Sequence, residues 1–132
     1  MLYLVKEHIN MKLNYLSMAF IILPISAQAL EVSKSEWIKG MSTVLPTAFC
    51  NSNQYFRQCF SVTAEECEET AASATRICLS KNDENIPDIL VQPKDGTLWG
   101  TVIGKCAGEA YEITLIKKRL NNEKCNDISN WQ

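Results

Sequence analysis

Residues 50–78, CNSNQYFRQCFSVTAEECEETAASATRIC, place Cys50, Cys59, Cys67 and Cys78 with 8, 7 and 10 residues between neighbours. Thr63-Ala64-Glu65-Glu66 is a capping box: a Thr hydroxyl for the first free amides, and a Glu three positions on to reach back. The helix opened there carries Cys67, Ala71, Ala74 and Cys78 on one face, because steps of three and four stay on one side of a helix. Two cysteines that far apart on one helix stand about 16 Å from each other. A disulfide needs Cα atoms within about 7 Å, so Cys67 and Cys78 must take partners elsewhere. The same argument separates Cys50 from Cys59 if their segment is helical. An antiparallel turn at Phe60–Thr63 satisfies both constraints. It predicts Cys59–Cys67 near the turn and Cys50–Cys78 farther out, a doubly stapled helical hairpin.

This cysteine pattern resembles that of the twin Cys-x9-Cys proteins of the mitochondrial intermembrane space, which are helical hairpins with nested disulfides. The likeness is confined to residues 50–78. What it implies is the hairpin geometry alone, and no function.

Upstream, the chain from Met11 reads as a secretory leader. A basic start (Met11-Lys12-Leu13-Asn14) precedes an apolar run from Tyr15 to Ile25 and an Ala27-Gln28-Ala29 cleavage signal. The apolar run is too short to cross a hydrocarbon core of about 30 Å. Residues 1–29 are therefore expected to be removed, with Met11 as the true start, leaving residues 30–132 as one small domain. All six cysteines fall in that domain. An even number in a short exported chain argues for disulfides rather than metal or redox chemistry. The expected location is the periplasm or the medium.

Ser33-Lys34-Ser35-Glu36 repeats the capping pattern and opens a first helix, with Trp37, Ile38, Met41, Val44 and Leu45 on its apolar face. Pro46 is expected to end or kink it. A second helix runs from Pro46 to Phe60, with Phe49, Phe56, Cys59 and Phe60 toward the core, and a third from Ala64 to about Ser80. Glu65, Glu66, Glu68 and Glu69 suit the positive end of that helix's dipole. Asn82 to Pro93 reads as a connector. Its Asp83, Glu84 and Asp88 lack the alternate spacing, glycine and late Glu of an EF-hand loop.

Asp95 is expected to cap a long fourth helix in which Gly96, Gly100, Gly104 and Gly108 recur every fourth residue. Trp99, Ile103, Cys106, Ala110, Ile113 and Leu120 form its apolar series. A strand over Tyr111–Ile116 is the competing assignment. Four glycines each cost about 1 kcal/mol of helix propensity against Ala, which calls for a packing reason inside the fold or at a partner surface. Lys105, Glu109 and Glu112 exclude a membrane span. Lys117-Lys118-Arg119 closes the segment, where cations suit a helix C-terminus. Cys125 in the tail is expected to bond Cys106.

Several chemistries are excluded. The single histidine, His8, lies in the leader, which removes Ser-His-Asp and Cys-His catalysis and the usual histidine zinc sites. There is no Cys-x-x-Cys pair and no phosphate-cradling glycine loop. Lys and Arg number 13 against 15 Asp and Glu, a poor match to nucleic acid, which demands a basic stripe. The sequence thus predicts an all-α, disulfide-stapled bundle of about four helices, exported, without cofactor or metal, and with no stable membrane insertion after cleavage.

The expected role is binding, as a bacterial secreted effector or inhibitor, with another protein as partner. The alternatives are an accessory subunit of an envelope or secretion machine, and a small hydrolase using Glu109 and Glu112. Candidate binding residues are Trp99, Gly100, Gly104, Lys117, Lys118 and Arg119, together with exposed aromatics near Tyr55 and Trp131.

Overall fold

A computed structural model describes residues 30–131. The leader expected over residues 1–29 lies outside the described residues. The fold is mostly helical: β1 (Leu30–Ser33), α1 (Lys34–Phe49), α2 (Tyr55–Gln58), α3 (Ala64–Asn82), β2 (Ile89–Gln92), α4 (Lys94–Thr114) and α5 (Glu123–Asn126), with short 3-10 turns at Ile116–Lys118 and Ile128–Trp131.

Two of the three N-caps read from the sequence are in place. Ser33 Oγ accepts from the Glu36 amide at 3.3 Å, and Thr63 Oγ1 from the Glu66 amide at 3.1 Å. Glu66 turns its carboxylate to Lys118 rather than back to the cap. On α3, Cys67, Ala71, Ala74 and Cys78 are all buried, as their spacing requires.

Pro46 does not end α1. The helix runs through it to Phe49 and stops at Cys50, whose amide bonds Pro46 O at 3.1 Å. The proline ring is buried, so packing outweighs the amide bond a mid-helix proline forfeits. Val44, assigned to the apolar face, is 62% exposed. The expected second helix from Pro46 to Phe60 is reduced to the single turn of α2, because the polar run Asn51–Gln54 breaks the chain into turns.

The connector also holds an element not anticipated. Ile89–Gln92 pairs antiparallel with Leu30–Ser33, in the register Leu30↔Gln92 to Ser33↔Ile89. Leu90 is buried in the core that includes Trp37, and half-buried Val32 from the partner strand packs against it. Asp95 is not the N-cap of α4. It lies in the first turn and accepts from the Val91 amide at 2.8 Å. The α4 helix includes Tyr111–Thr114, so the strand assignment there fails. It ends at Thr114, short of Lys117-Lys118-Arg119, which follow in the 3-10 turn and beyond. Ile113 and Leu120 are exposed.

All six cysteines are bonded, but the partners differ from every pairing expected: Cys50–Cys67, Cys59–Cys125 and Cys78–Cys106. Because α1 reaches Phe49, Cys50 lies at the α1 end beside the start of α3, within reach of Cys67 rather than Cys78. The α3 and α4 helices pack antiparallel, and that contact brings Cys78 to Cys106. The tail does not return along α4. It crosses to α2, where Leu120 N bonds Cys59 O and Ser61 N bonds Lys118 O, each at 2.8 Å, and this seats Cys125 on Cys59.

Two core clusters result. One gathers Trp37, Leu79, Ile86, Leu90 and Ile103 around Cys78. The other joins Phe60, Tyr111 and Leu115 to Cys50, Cys59, Cys67 and Cys125.

Candidate functional site

An open cleft of about 380 Å³ lies between α4 on one side and α2 with the returning tail on the other. Each wall has a local cause. Tyr111, fully buried on α4, donates its hydroxyl to Phe56 O at 2.8 Å and meets the Phe56 ring edge-on at 5.1 Å. Phe49, the last residue of α1, stacks on Phe56 at 4.2 Å. The single turn of α2 is thereby fixed although it is too short to hold itself. Tyr55 beside it faces the cleft.

The tail wall is held as firmly. Arg119 donates to the Tyr55 hydroxyl at 3.2 Å and to Cys125 O at 2.9 Å. Trp131 donates its indole N–H to Lys124 O at 3.0 Å and meets the Tyr55 ring edge-on at 5.7 Å, while the Lys124 ammonium sits 4.5 Å from the indole centroid. Opposite stand Gly104, Lys105, Gly108, Glu109 and Glu112 of α4.

Tyr55 joins the two sides, donating to Glu112 Oε1 at 2.6 Å. Burial, then the bond to Glu112, pushes the Tyr55 phenol above its ordinary value, with Arg119 opposing. The hydroxyl therefore stays protonated as a donor. The Arg119 guanidinium is raised in turn, first by its hydrogen bond to Tyr55. Chemically the cleft offers aromatic surface, exposed carboxylate and ammonium groups at the rim, and a floor without side chains.

A larger concavity, about 440 Å³, lies between α1 and α3 near Ser42, Arg76 and Asp83. It has no aromatic lining, so the α4 cleft is the better candidate for recognition. Asp83 and Asp88 flank the Lys34 ammonium at 3.7 and 3.8 Å.

The residues singled out in the sequence divide sharply. Gly104, Tyr55, Trp131, Glu109 and Glu112 meet at the cleft. Trp99 is half-buried against the Trp37 core and Gly100 faces open space. Lys117 is exposed on the 3-10 turn, Lys118 pairs with Glu66, and Arg119 stands behind Tyr55. Phe56, Gln54 and Ile128 also line the cleft. The sequence assigns Phe56 to the core alone, and nothing local marks Gln54 or Ile128. Among the described residues no helix is long and apolar enough to cross a membrane.

Fold and cleft together define a small, three-disulfide helical protein with an open aromatic site. Residues 31–119 match the family described as T2SS substrate NttA, and the chain belongs to that family. It is thus a member of a family of type II secretion substrates, which agrees with the export expected from the leader. No curated protein and no solved structure matches the chain.

Proposed function

We propose that the protein is a secreted binding protein, a released effector or inhibitor, that engages its target through the α4 cleft. The observation carrying this reading is the convergence of Tyr55, Phe56 and Trp131 on the glycine floor of α4. Aromatic rings with a few placed polar groups are the usual makeup of a recognition site. Membership of a type II substrate family supports action outside the producing cell.

The test is location. Fractionation of producing cells should recover the processed, oxidised chain from the medium, and loss of the type II outer-membrane pore should retain it inside. Accumulation in the periplasm with the pore intact would overturn release and favour an envelope subunit that co-purifies with membrane components.

One observation favours a second reading: Glu109 and Glu112 line the same cleft. A carboxylate-dependent hydrolase would lose turnover in Glu109→Gln while keeping its fold.

A further inference from the structure

We infer that the α4 cleft takes a neutral carbohydrate chain, an inference that rests on the binding role proposed above. Three features of the cleft lead to this ligand class.

The first is the rings. Tyr55 and Trp131 line the cleft with ring surface, their own polar atoms taken by Glu112 and Lys124 O, beside the carboxylate and ammonium groups of α4. A sugar ring presents the matching pair, a C–H face to lie on an aromatic ring and an edge of hydroxyls.

The second is charge. Lys105 stands one helical turn before Glu109, with Glu112 a turn farther on, all three lining the cleft. A ligand of either sign meets its like as well as its opposite here, with Glu112 already held by the Tyr55 hydroxyl. A hydroxyl meets no such conflict, because it both donates and accepts. The other nearby cations are committed elsewhere: Arg119 to Tyr55 and Cys125, Lys124 to Gln58 Oε1 at 2.8 Å and to the Trp131 ring.

The third is the floor. A Cβ built at Gly104 meets no protein atom within 4 Å, whereas one at Gly108 meets Phe56 Cζ at 3.1 Å. Gly108 thus has an internal packing reason and Gly104 has none, although glycine is a poor helix residue. The space in front of Gly104 belongs to the cleft, and a ring can approach the backbone there. The volume of about 380 Å³ suits a small-ligand site, and the open side lets a chain run on.

The test uses the processed, oxidised protein, isotopically labelled and titrated with cellotetraose, chitotetraose, maltotetraose and mannotetraose. Saturable shifts of the Gly104 and Gly108 amides and the Trp131 indole N–H are expected with at least one of them, at a Kd tighter than about 1 mM. Trp131→Ala should weaken that binding by about tenfold or more. Gly104→Leu should abolish it while raising Tm by about 4 °C, which separates a blocked floor from a damaged fold. No shift with any of the four overturns the carbohydrate inference.

The binding role is judged separately. A target-cell protein that crosslinks to the native chain but not to Gly104→Leu would leave the role standing while the carbohydrate falls. With no cleft-dependent binding of either kind, both fall.

Discussion

Tyr111 shows how one side chain serves both core and site. It is fully buried, edge-on to Phe49, Phe56 and Phe60, and its hydroxyl pins the α2 backbone. Burial, reinforced by Glu66 and opposed by Arg57, pushes its phenol up to about 12. In the unfolded chain it ionises near its ordinary value of about 10. The folded state therefore holds the proton longer. The stability linked to neutral Tyr111 is complete below pH of about 10 and is lost as the pH rises through about 10 toward about 12. Thermal melts across that window should show Tm falling. Tyr111→Phe should make the fall shallower, and at neutral pH it should cost about 1 kcal/mol for the missing hydrogen bond to Phe56 O.

Among the elements, α4 carries two glycines of opposite meaning. Gly104→Ala gains helix propensity and meets nothing, so chemical denaturation should report about 1 kcal/mol of added stability. Gly108→Ala gains the same propensity but drives its methyl against a Phe56 ring already stacked on Phe49. Its net effect should be zero or destabilising, with the Phe56 contacts disturbed. A comparable gain from both substitutions would refute the distinction. The α3 helix was legible because its evidence is local: a cap, then four small residues at helical steps. The same local logic misread Pro46, whose cost is outweighed by burial that sequence spacing does not display. The strand Ile89–Gln92 was hidden for a related reason. Four residues form a strand only because Leu30–Ser33 lies alongside, and that pairing is set by the whole fold.

For the molecule as a whole, the bridges tie sequence-distant parts. Non-reducing peptide mapping should recover fragments linking Cys50 to Cys67, Cys59 to Cys125 and Cys78 to Cys106. A Cys59–Cys67 fragment would instead restore the nested hairpin. The separations are 17, 66 and 28 residues, for which loop closure alone predicts contributions of about 3, 4 and 3.5 kcal/mol. Replacing Cys59 and Cys125 together by Ala should therefore lower Tm most, and should also free the tail from Tyr55, seen as a shift of the Trp131 indole N–H resonance. The cleft was legible only in pieces. Tyr55, Gly104 and Trp131 were each visible as candidates, but they meet because the tail returns to Cys59, and cysteine spacing alone did not reveal that partner.

The crossing of Cys50–Cys67 with Cys59–Cys125 bears on how the chain matures. During export the cysteines emerge in order, and the first two to appear, Cys50 and Cys59, are not partners. Oxidation that simply joined neighbours as they arrived would trap the wrong pair. Cys59 must wait for Cys125, the last cysteine of all, so the set of bridges is complete only once the whole domain has crossed. Any Cys50–Cys59 bond made on the way would have to be undone by thiol exchange, and a chain cut short before Cys125 would leave Cys59 without its native partner.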